Sequence, residues 1–417
     1  MKIIHTSDWH IGRSLYGRKR YEEFEAFLAW LAETIQQKDI DVLLVAGDIF
    51  DTSTPSNRAQ ELYYRFLCCV ATSTCRHVVV IAGNHDSPSF LNAPRELLRA
   101  LNVHVIGAAS ENPEDEVLVL SKEDGMPELI VCAVPYLRDR DIRVAEAGES
   151  LEDKEQKLIA GIRSHYADVG ALAEQKRAEL GANIPIIAMG HLFTAGGQTV
   201  DGDGVRDLYV GSLAHVASGI FPDNLNYLAL GHLHVPQKVN GSEIMRYSGS
   251  PLPMGFGEAK QKKSVCLVVF DGENDNSMAS AQAEVQLINV PVFQRLERIT
   301  GGMEVLSARI LALSATGSRA WLEVIYEGDE VIGDLRECLD AAVSESGIEI
   351  LRVKNNRIID RVLGQIHDEE TLDDLDVNDV FKRCLDAHQI PEGQRPELLR
   401  AYQETVTSLY DDDTQAE

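Results

Sequence analysis

The chain has 417 residues, 44% of them hydrophobic, which is enough for two or three domains with a substantial core in the largest. Its apolar runs are short and strand-like, and none approaches the roughly 18 apolar residues that a membrane-spanning helix needs. The seven cysteines are scattered without a CxxC pair and no secretory signal precedes the first strand, so we expect a cytoplasmic protein. The formal net charge of -27 by itself argues against a polyanionic partner.

Residues 1–290 alternate between strand and helix patterns. Strands are predicted at "KIIHT", "DVLLVAG", "HVVVIAG", "LIVCAV", "IPIIAMG", "NYLALG", "EIMRYSG", "SVCLVVF" and "EVQLINV", and amphipathic helices at "YEEFEAFLAWLAETIQQ" and "SNRAQELYYRFLCCVA". Strands that are apolar on both faces and alternate with helices predict an α/β fold with its sheet covered on both sides. The last three strands follow one another closely, which favours an antiparallel end to the sheet.

A smaller α/β unit is predicted over residues 291–356, with strand "AWLEVIY", helix "GDLRECLDAAVSES" and strand "IEILRVK". Residues 357–417 contain "HDEETLDDLDVND", whose seven acids and no base are typical of a solvated tether. Two helices are predicted beyond it, at "VNDVFKRCLDAHQ" and "RPELLRAYQETVTSLY". Because isolated helices of about 12–15 residues are marginal in water, this helical pair must dock, either on the first domain or on another chain.

A recurring pattern marks the ends of five predicted strands, where a small residue is followed by a residue able to bind a metal. The candidates are Asp8 and His10 in "DWH", Asp48 in "GDIFD", Asn84 and His85 in "GNHD", His191 in "GHL", and His232 and His234 in "GHLH". Ligands of open α/β sheets bind beyond the carboxyl ends of the strands. Glycines at 47, 83, 190 and 231 allow sharp turns there, so we expect these side chains to converge on one crevice.

Two aspartates, one asparagine and four histidines make a mixed oxygen and nitrogen donor set without a thiolate. Such a set suits Mn²⁺, Fe or Zn²⁺ better than Mg²⁺ or Ca²⁺. Seven ligands are too many for one tetrahedral ion and match two ions that share a bridge. Each motif alone is typical of a cap or an Asx-turn, but five of them after five strands favour a joint metal site. His5, His77 and His104 lack this context and are interpreted as ordinary packed or surface histidines.

The ordered set "DWH", "GDIFD", "GNHD", "GH" and "GHLH" resembles the calcineurin-like metallophosphoesterase superfamily over residues 1–290. That resemblance implies a two-sheet β-sandwich flanked by helices, with a dinuclear site at the strand ends. Within the superfamily, "HTSDWHIG", "GDIFDTSTPS" and "GNHDS" resemble the SbcD family of nuclease subunits. The likeness implies a Mn²⁺-dependent DNA nuclease, both a duplex exonuclease and a single-strand and hairpin endonuclease. It would act with an SbcC-type ATPase in DNA end processing, replication and recombination, and residues 291–356 would be a DNA-recognition capping domain.

The resemblance also implies a role for each site residue. One Mn²⁺ would be held by Asp8, His10, Asp48 and His234. A second would share Asp48 and be held by Asn84, His191 and His232. A water between the ions would attack phosphorus in line, and a protonated His85 beside the scissile phosphate would stabilise charge or donate to the departing 3′ oxygen. Asp51 stands where some members carry a second histidine, and "DTS" replaces the Arg-Gly of protein phosphatases, which argues against a phosphoprotein substrate.

Two basic segments are candidate phosphate contacts or, alternatively, solvated loops. They are "RSLYGRKR", with Arg13, Arg18, Lys19 and Arg20, and "KQKK", with Lys260, Lys262 and Lys263. Two apolar helix faces either cover the sheet or, as the resemblance implies, pair two nuclease subunits into a homodimer within a heterotetramer. They carry Leu62, Phe66 and Val70, and Phe90, Leu91, Leu97, Leu98 and Leu101. The resemblance also implies that the C-terminal helices bind the base of the ATPase coiled coil.

Two alternative functions stay open. The first is a small-molecule phosphodiesterase or nucleotidase of the same superfamily, which would act on a nucleotide but not on duplex or hairpin DNA. The second is a non-catalytic scaffold that has kept the fold. Missing ligands would be its sign, and all seven ligand positions are filled in this sequence.

Overall fold

The computed structural model describes residues 1–143, 148–181, 184–194, 218–270, 282–328, 332 and 334–355, with a few further positions between 381 and 402. The chain forms two compact units, residues 1–296 and 297–417. In the described ranges, no helix combines the length and the apolarity needed to cross a bilayer.

The first unit contains most of the strands. They are β1 (Lys2–Thr6), β2 (Ser14–Leu15), β3 (Arg18–Lys19), β4 (Val42–Ala46), β5 (His77–Ile81), β6 (Val103–Ile106), β7 (Val117–Ser121), β8 (Pro127–Ala133), β9 (Ile186–His191), β10 (Tyr227–Gly231), β11 (Gln237–Lys238), β12 (Met245–Tyr247), β13 (Ser264–Phe270) and β14 (Ala283–Asn289). Its helices are α1 (Tyr21–Gln37), α2 (Asn57–Ala71), α3 (Pro88–Asn92), α4 (Arg95–Arg99), α5 (Asp139–Ile142) and α6 (Leu151–Leu180). Short 3-10 turns lie at Pro113–Glu116, Ser218–Ile220 and Phe256–Glu258.

The strands of the first unit form two six-stranded sheets and one small hairpin. The first sheet has the order β14-β13-β1-β4-β5-β6 and the second β11-β12-β10-β9-β8-β7, while β2 pairs with β3. In the first sheet β1, β4, β5 and β6 are parallel, and β13 and β14 are added antiparallel. In the second sheet β8, β9, β10 and β12 are parallel, and the edge strands β7 and β11 are antiparallel.

The predicted antiparallel end of the sheet is confirmed for β13 and β14 and is wrong for β12, the strand of "EIMRYSG". β12 pairs in parallel with β10, with Leu228 opposite Met245. The physical reason is the two-residue strand β11, which runs antiparallel to β12 and therefore reverses the chain before β12 begins. As a result β12 runs in the direction of β10 and extends the second sheet.

The core of the first unit has three apolar layers. The residues between the two sheets include Leu44 and Ala46 of β4, whose neighbours Leu43 and Val45 face α1 and α2 on the other side. This alternation explains why "VLLVA" is buried along its whole length. On the outer face of the second sheet, α6 packs through Ile162, Tyr166 and Val169. The two-sheet sandwich flanked by helices is therefore confirmed.

The second unit is a small α/β structure. It contains β15 (Leu296–Gly301), α7 (Met303–Ala315), β16 (Trp321–Tyr326), α8 (Leu335–Val343) and β17 (Glu349–Asn355). The sheet order is β15-β16-β17, and Leu306 of α7 and Leu339 of α8 pack against Leu322 of β16 in one cluster.

The predicted acidic linker and most of the predicted C-terminal helices lie outside the described residues. Among the described positions, the ring of Phe381 stacks on that of Tyr402, with the centroids 4.0 Å apart. These two rings lie on the predicted apolar faces of the two helices.

Candidate metal centre

The ends of five parallel strands bring the predicted ligands together. β1, β4 and β5 contribute from the first sheet, and β9 and β10 contribute from the second. The pairing of β1 with β4 continues past their ends, because the amide nitrogen of Asp8 donates to the carbonyl of Gly47 and that of His10 donates to the carbonyl of Asp48, both at 3.0 Å. Backbone hydrogen bonds thus fix the first two motifs before any cation is considered.

The ligands form two buried groups. The donor atoms of Asp8, His10 and His234 all lie within 4.8 Å of one another, as do those of Asp48, His191 and His232. In the first group the Nε2 atoms of His10 and His234 are 3.1 Å apart.

In the second group the amide oxygen of Asn84 lies 3.1 Å from Nε2 of His191 and 3.0 Å from Nδ1 of His232. Asp48 belongs to the second group and also faces the first, so its carboxylate lies between the histidines of both groups. Its Oδ2 atom is 3.6 Å from Nε2 of His10 in one group and 3.2 Å from Nε2 of His191 in the other. A carboxylate in this position is able to bridge two cations.

His85 stands beside the first group. Its ring centroid is 4.8 Å from that of His10, and its amide nitrogen donates to Oδ1 of Asp48 at 2.9 Å. Nδ1 of His85 lies 2.8 Å from the carbonyl oxygen of Asp51. Because a carbonyl can only accept, Nδ1 carries the proton, and Nε2 is the nitrogen left for other chemistry.

Four ligands adopt an unusual backbone conformation. Asp8, His10 and Asp48 have φ values of 52°, 48° and 51°, and His232 has 100°. Such left-handed conformations in residues other than glycine cost of order 1–3 kcal/mol each and are concentrated at functional sites. The fold therefore holds a buried set of oxygen and nitrogen donors in strained positions, and this set fits divalent transition metals.

Neighbouring charges in this cluster shift one another's pKa values. Burial alone would raise the pKa of Asp48, but the imidazole of His191 beside it brings that pKa well below its usual range. Burial would lower the pKa of His191, and the Asp48 carboxylate instead raises it to about 9. For Asp8, burial prevails and raises the pKa. Burial and the neighbouring His191 lower the pKa of His232 to about 3.

Comparisons with known proteins agree with this geometry. Residues 1–236 match the family model of calcineurin-like phosphoesterases, and residues 292–389 match that of the type 5 capsule protein repressor C-terminal domain. The chain is 36% identical over 412 residues to the SbcD subunit of the nuclease SbcCD of Escherichia coli (strain K12), covering 98% of each chain. It is 33% identical over 368 residues to the SbcD subunit of Rhodobacter capsulatus, covering 86% of this chain and 89% of that one.

The chain belongs to the SbcD family of nuclease subunits. The resemblance inferred from the strand-end motifs is confirmed. As a family member with a calcineurin-like phosphoesterase domain, the chain is a metal-dependent phosphoesterase that binds divalent metal.

The glycines of this SbcD-family site act differently from what the sequence predicts. Only Gly47 among the four has a positive φ, at 86°. Gly83, Gly190 and Gly231 are required for space, because an added Cβ would collide with Asp48, Tyr166 and the carbonyl of Ala46, respectively. Close approach of the backbone, rather than a sharp turn, is the reason for these three glycines.

Sequence reasoning gave no role to Asp86, the last residue of "GNHD". Its buried carboxylate accepts hydrogen bonds from the amide nitrogens of Ile49 at 3.1 Å, Phe50 at 3.0 Å and Gly83 at 2.8 Å. Burial and the charge of Asp48 raise its pKa to about 6. Asp86 therefore ties the loops after β4 and β5 together. Its position at the end of "GNHD" was the only feature of the sequence that pointed to this role.

Two of the predicted phosphate contacts are wrong. Arg20 is 1% exposed, and its guanidinium donates to both carboxylate oxygens of Glu23 at 2.8 and 2.9 Å. Lys263 is 5% exposed and forms an ion pair with Glu258. Both side chains are neutralised inside the protein, so neither faces a polyanion.

The remaining basic residues have different surroundings. Arg13 contacts Asp51 at 3.3 Å, whereas four cations are exposed: Arg18, Lys19, Lys260 and Lys262. The ring of Tyr16, in the first basic segment, stacks on that of Phe256, which precedes the second segment, with the centroids 5.8 Å apart.

The predicted apolar helix faces mostly cover the sheet. The buried members are Leu62, Phe66, Val70, Leu91 and Leu98. Leu97 and Leu101 are exposed, at 74% and 40%. His5 also belongs to the interior, where its Nδ1 lies 2.9 Å from the hydroxyl of Tyr227.

Proposed function

We propose that the chain is the Mn²⁺-dependent DNA nuclease subunit of an SbcCD-type complex. It would act as a duplex exonuclease and as a single-strand and hairpin endonuclease. The observation that carries the proposal is the position of Asp48 between two buried donor groups, at 3.6 Å from His10 and 3.2 Å from His191. The identity of 36% to the Escherichia coli SbcD subunit over 98% of the chain supports the same function.

Two Mn²⁺ ions would be held at this site. Asp8, His10, Asp48 and His234 would hold one ion. Asp48, Asn84, His191 and His232 would hold the other. Such a pair of ions supplies charge neutralisation at the phosphoryl oxygens and a water nucleophile of lowered pKa. The mixture of imidazole and carboxylate donors supports Mn²⁺ over Mg²⁺, which prefers oxygen ligands.

His85 would act on the substrate rather than on a metal. The carbonyl of Asp51 holds its Nδ1 proton, which leaves Nε2 as the reactive nitrogen. A second proton on Nε2 would stabilise charge on the phosphoryl group or pass to the departing 3′ oxygen. The hydrogen bond from the His85 amide to Asp48 keeps the imidazole beside the metal ligands during this step.

A DNA substrate requires cations on a chain with a net charge of -27. We propose that the metal ions, together with Arg18, Lys19, Lys260 and Lys262, receive the phosphates locally. Support comes from the stacking of Tyr16, a residue of the first basic segment, on Phe256, which precedes Lys260 and Lys262 in the chain.

We further propose that the partner is an SbcC-type ATPase bound by the C-terminal helices, with residues 291–356 as the capping domain. Two nuclease subunits would pair within a heterotetramer, and Leu97 and Leu101 are the exposed members of the predicted apolar faces that would serve that contact. The complex would act in the cytoplasm in DNA repair, replication and recombination.

The test is cleavage of end-labelled hairpin and duplex DNA by the purified chain with Mn²⁺, with and without the ATPase, in parallel with Asp48→Asn. We expect Mn²⁺-dependent cleavage by the wild type, its loss in Asp48→Asn, and stimulation on duplex ends by ATP and the ATPase. Hydrolysis of nucleotides without any cleavage of DNA would instead identify a nucleotidase.

A further inference from the structure

A buried ion pair of Glu258 and Lys263 lies behind the metal ligand His234. Glu258 is fully buried and Lys263 is 5% exposed, and the ammonium group contacts Oε2 of the carboxylate. Burial costs each ion several kcal/mol, and well-packed apolar residues of similar volume often stabilise a fold as well as a buried pair does. The groups that the pair contacts therefore indicate its role better than any contribution to stability does.

The pair contacts His234 from two sides. Nζ of Lys263 donates to the carbonyl oxygen of His234 at 2.9 Å and to Oγ of Ser250 at 3.0 Å. Oε1 of Glu258 lies 3.7 Å from Nδ1 of the His234 ring. The amide nitrogen of Met254 donates to Oε2 of Glu258 at 3.0 Å and fixes the carboxylate. Lys263 thus holds the backbone of His234, and Glu258 faces the imidazole of His234.

This arrangement favours one ring nitrogen of His234 as the atom available to a metal. A carboxylate facing Nδ1 favours the tautomer with its proton there, which leaves the lone pair on Nε2. Nε2 of His234 is the atom that lies 3.1 Å from Nε2 of His10. Carboxylates oriented behind metal-binding histidines also raise their basicity, and removing them typically costs 10–100-fold in metal affinity.

The two ion sites differ in the group that lies behind their histidine ligands. In the first group, Nδ1 of His10 lies 3.3 Å from Oδ1 of Asp51, and His234 faces Glu258, so both imidazoles have a carboxylate behind them. In the second group, Nδ1 of His191 lies 2.9 Å from the neutral carbonyl of Ala46. Because Glu258 faces a ligand of the first group, we expect its loss to affect that site selectively.

We propose that Glu258 and Lys263 are positioning residues for His234 and set the affinity of the ion held with Asp8 and His10. The proposal rests on the two-ion site put forward as the proposed function. It adds a selective dependence of one ion on a pair of residues outside the ligand set.

The experiment measures Mn²⁺ binding to the full chain after removal of metal by chelation, by calorimetry and by the electron paramagnetic resonance signal of free Mn²⁺. Glu258→Gln keeps the volume of the side chain and removes its charge. The matched control is Glu116→Gln, because Glu116 is also fully buried and pairs at 2.7 Å with His165, a histidine outside the predicted ligand set. We expect Glu258→Gln to weaken one of two sites 10–100-fold and to leave the other unchanged. Glu116→Gln should bind both ions like the wild type.

A second variant tests the proposal in case Glu258→Gln does not fold. Glu258→Met with Lys263→Met replaces the ion pair by apolar side chains and should fold with the same site weakened. Wild-type affinity at both sites in either folded variant overturns the proposal. Failure of both variants to fold also overturns it, because the pair would then serve folding rather than positioning. A wild-type chain that binds no Mn²⁺ contradicts the proposed function itself.

Discussion

Replacing Asp86 by alanine should destabilise the first unit strongly, although the residue binds no metal in our assignment. The carboxylate is 2% exposed and accepts three backbone hydrogen bonds, from Ile49, Phe50 and Gly83. Without it, three backbone donors in the loops after β4 and β5 lose their acceptor.

A buried donor left without a partner costs about 1–3 kcal/mol. Removal of a carboxylate whose pKa is already raised to about 6 offsets part of the sum, because that carboxylate is itself costly to bury. We therefore expect Asp86→Ala to lower the free energy of unfolding by about 3–5 kcal/mol. The control is Asp124→Ala, an exposed carboxylate with one hydrogen bond from the amide of Met126, which should change stability by about 0.5 kcal/mol or less.

Urea unfolding followed by circular dichroism measures both variants. Because Asp48 and Asn84 lie on the loops that Asp86 joins, Mn²⁺ binding should weaken in Asp86→Ala as well. Stability of Asp86→Ala within about 1 kcal/mol of the wild type would refute the reasoning, since one lost hydrogen bond alone has that magnitude.

Three further predictions concern the site, acid stability and the tail. His85→Ala should retain two Mn²⁺ per chain while DNA cleavage falls at least about 100-fold, and elemental analysis showing loss of the metals would contradict the role of His85. Burial lowers the pKa of His5 from 6.5 to about 3, so the unfolded chain binds the proton more tightly and stability falls as the pH drops below 6.5. His5 should account for about 2 kcal/mol of the stability that the wild type loses between pH 7 and pH 5, and a loss in His5→Gln as large as in the wild type would contradict it. Deletion of residues 366–417 should leave a Mn²⁺-dependent nuclease that no longer co-purifies with the SbcC-type ATPase, and full retention of the ATPase would exclude the tail as the binding element.

The set of site residues could be predicted from the sequence because parallel strands end at one edge of a sheet. The pattern is local in the sequence: a short apolar strand is followed by a small residue and then by a ligand such as Asp48 or His191. The ligands converge because the parallel strands that carry them run in the same direction. The division into two sheets followed only from the family resemblance. Hydrophobic periodicity shows that a strand is covered on both faces, but it does not show whether a helix or a second sheet covers it. β11 has two residues and leaves no periodic signal, so the direction of β12 was predicted wrongly.

The buried ion pairs show where sequence patterns fail. Arg20 stands in a basic run, and only Glu23 three residues later, at the start of α1, indicates a local partner. Glu258 and Lys263 are five residues apart and have no periodic relation, so their pairing depends on how the chain wraps behind His234. The left-handed backbone of Asp8, His10 and Asp48 is equally invisible in the sequence, because these residue types do not require that conformation.

The most direct test of a two-ion nuclease is cleavage of hairpin DNA as a function of the Mn²⁺ bound per chain. Chelated wild-type protein receives Mn²⁺ in increments, bound metal is counted by electron paramagnetic resonance, and the initial rate is measured at each step. Because Asp48 lies between both donor groups, we expect negligible cleavage up to one bound ion and a rise that saturates at two. Full activity with one ion, or cleavage that persists in the chelated protein, would contradict a mechanism that needs both ions.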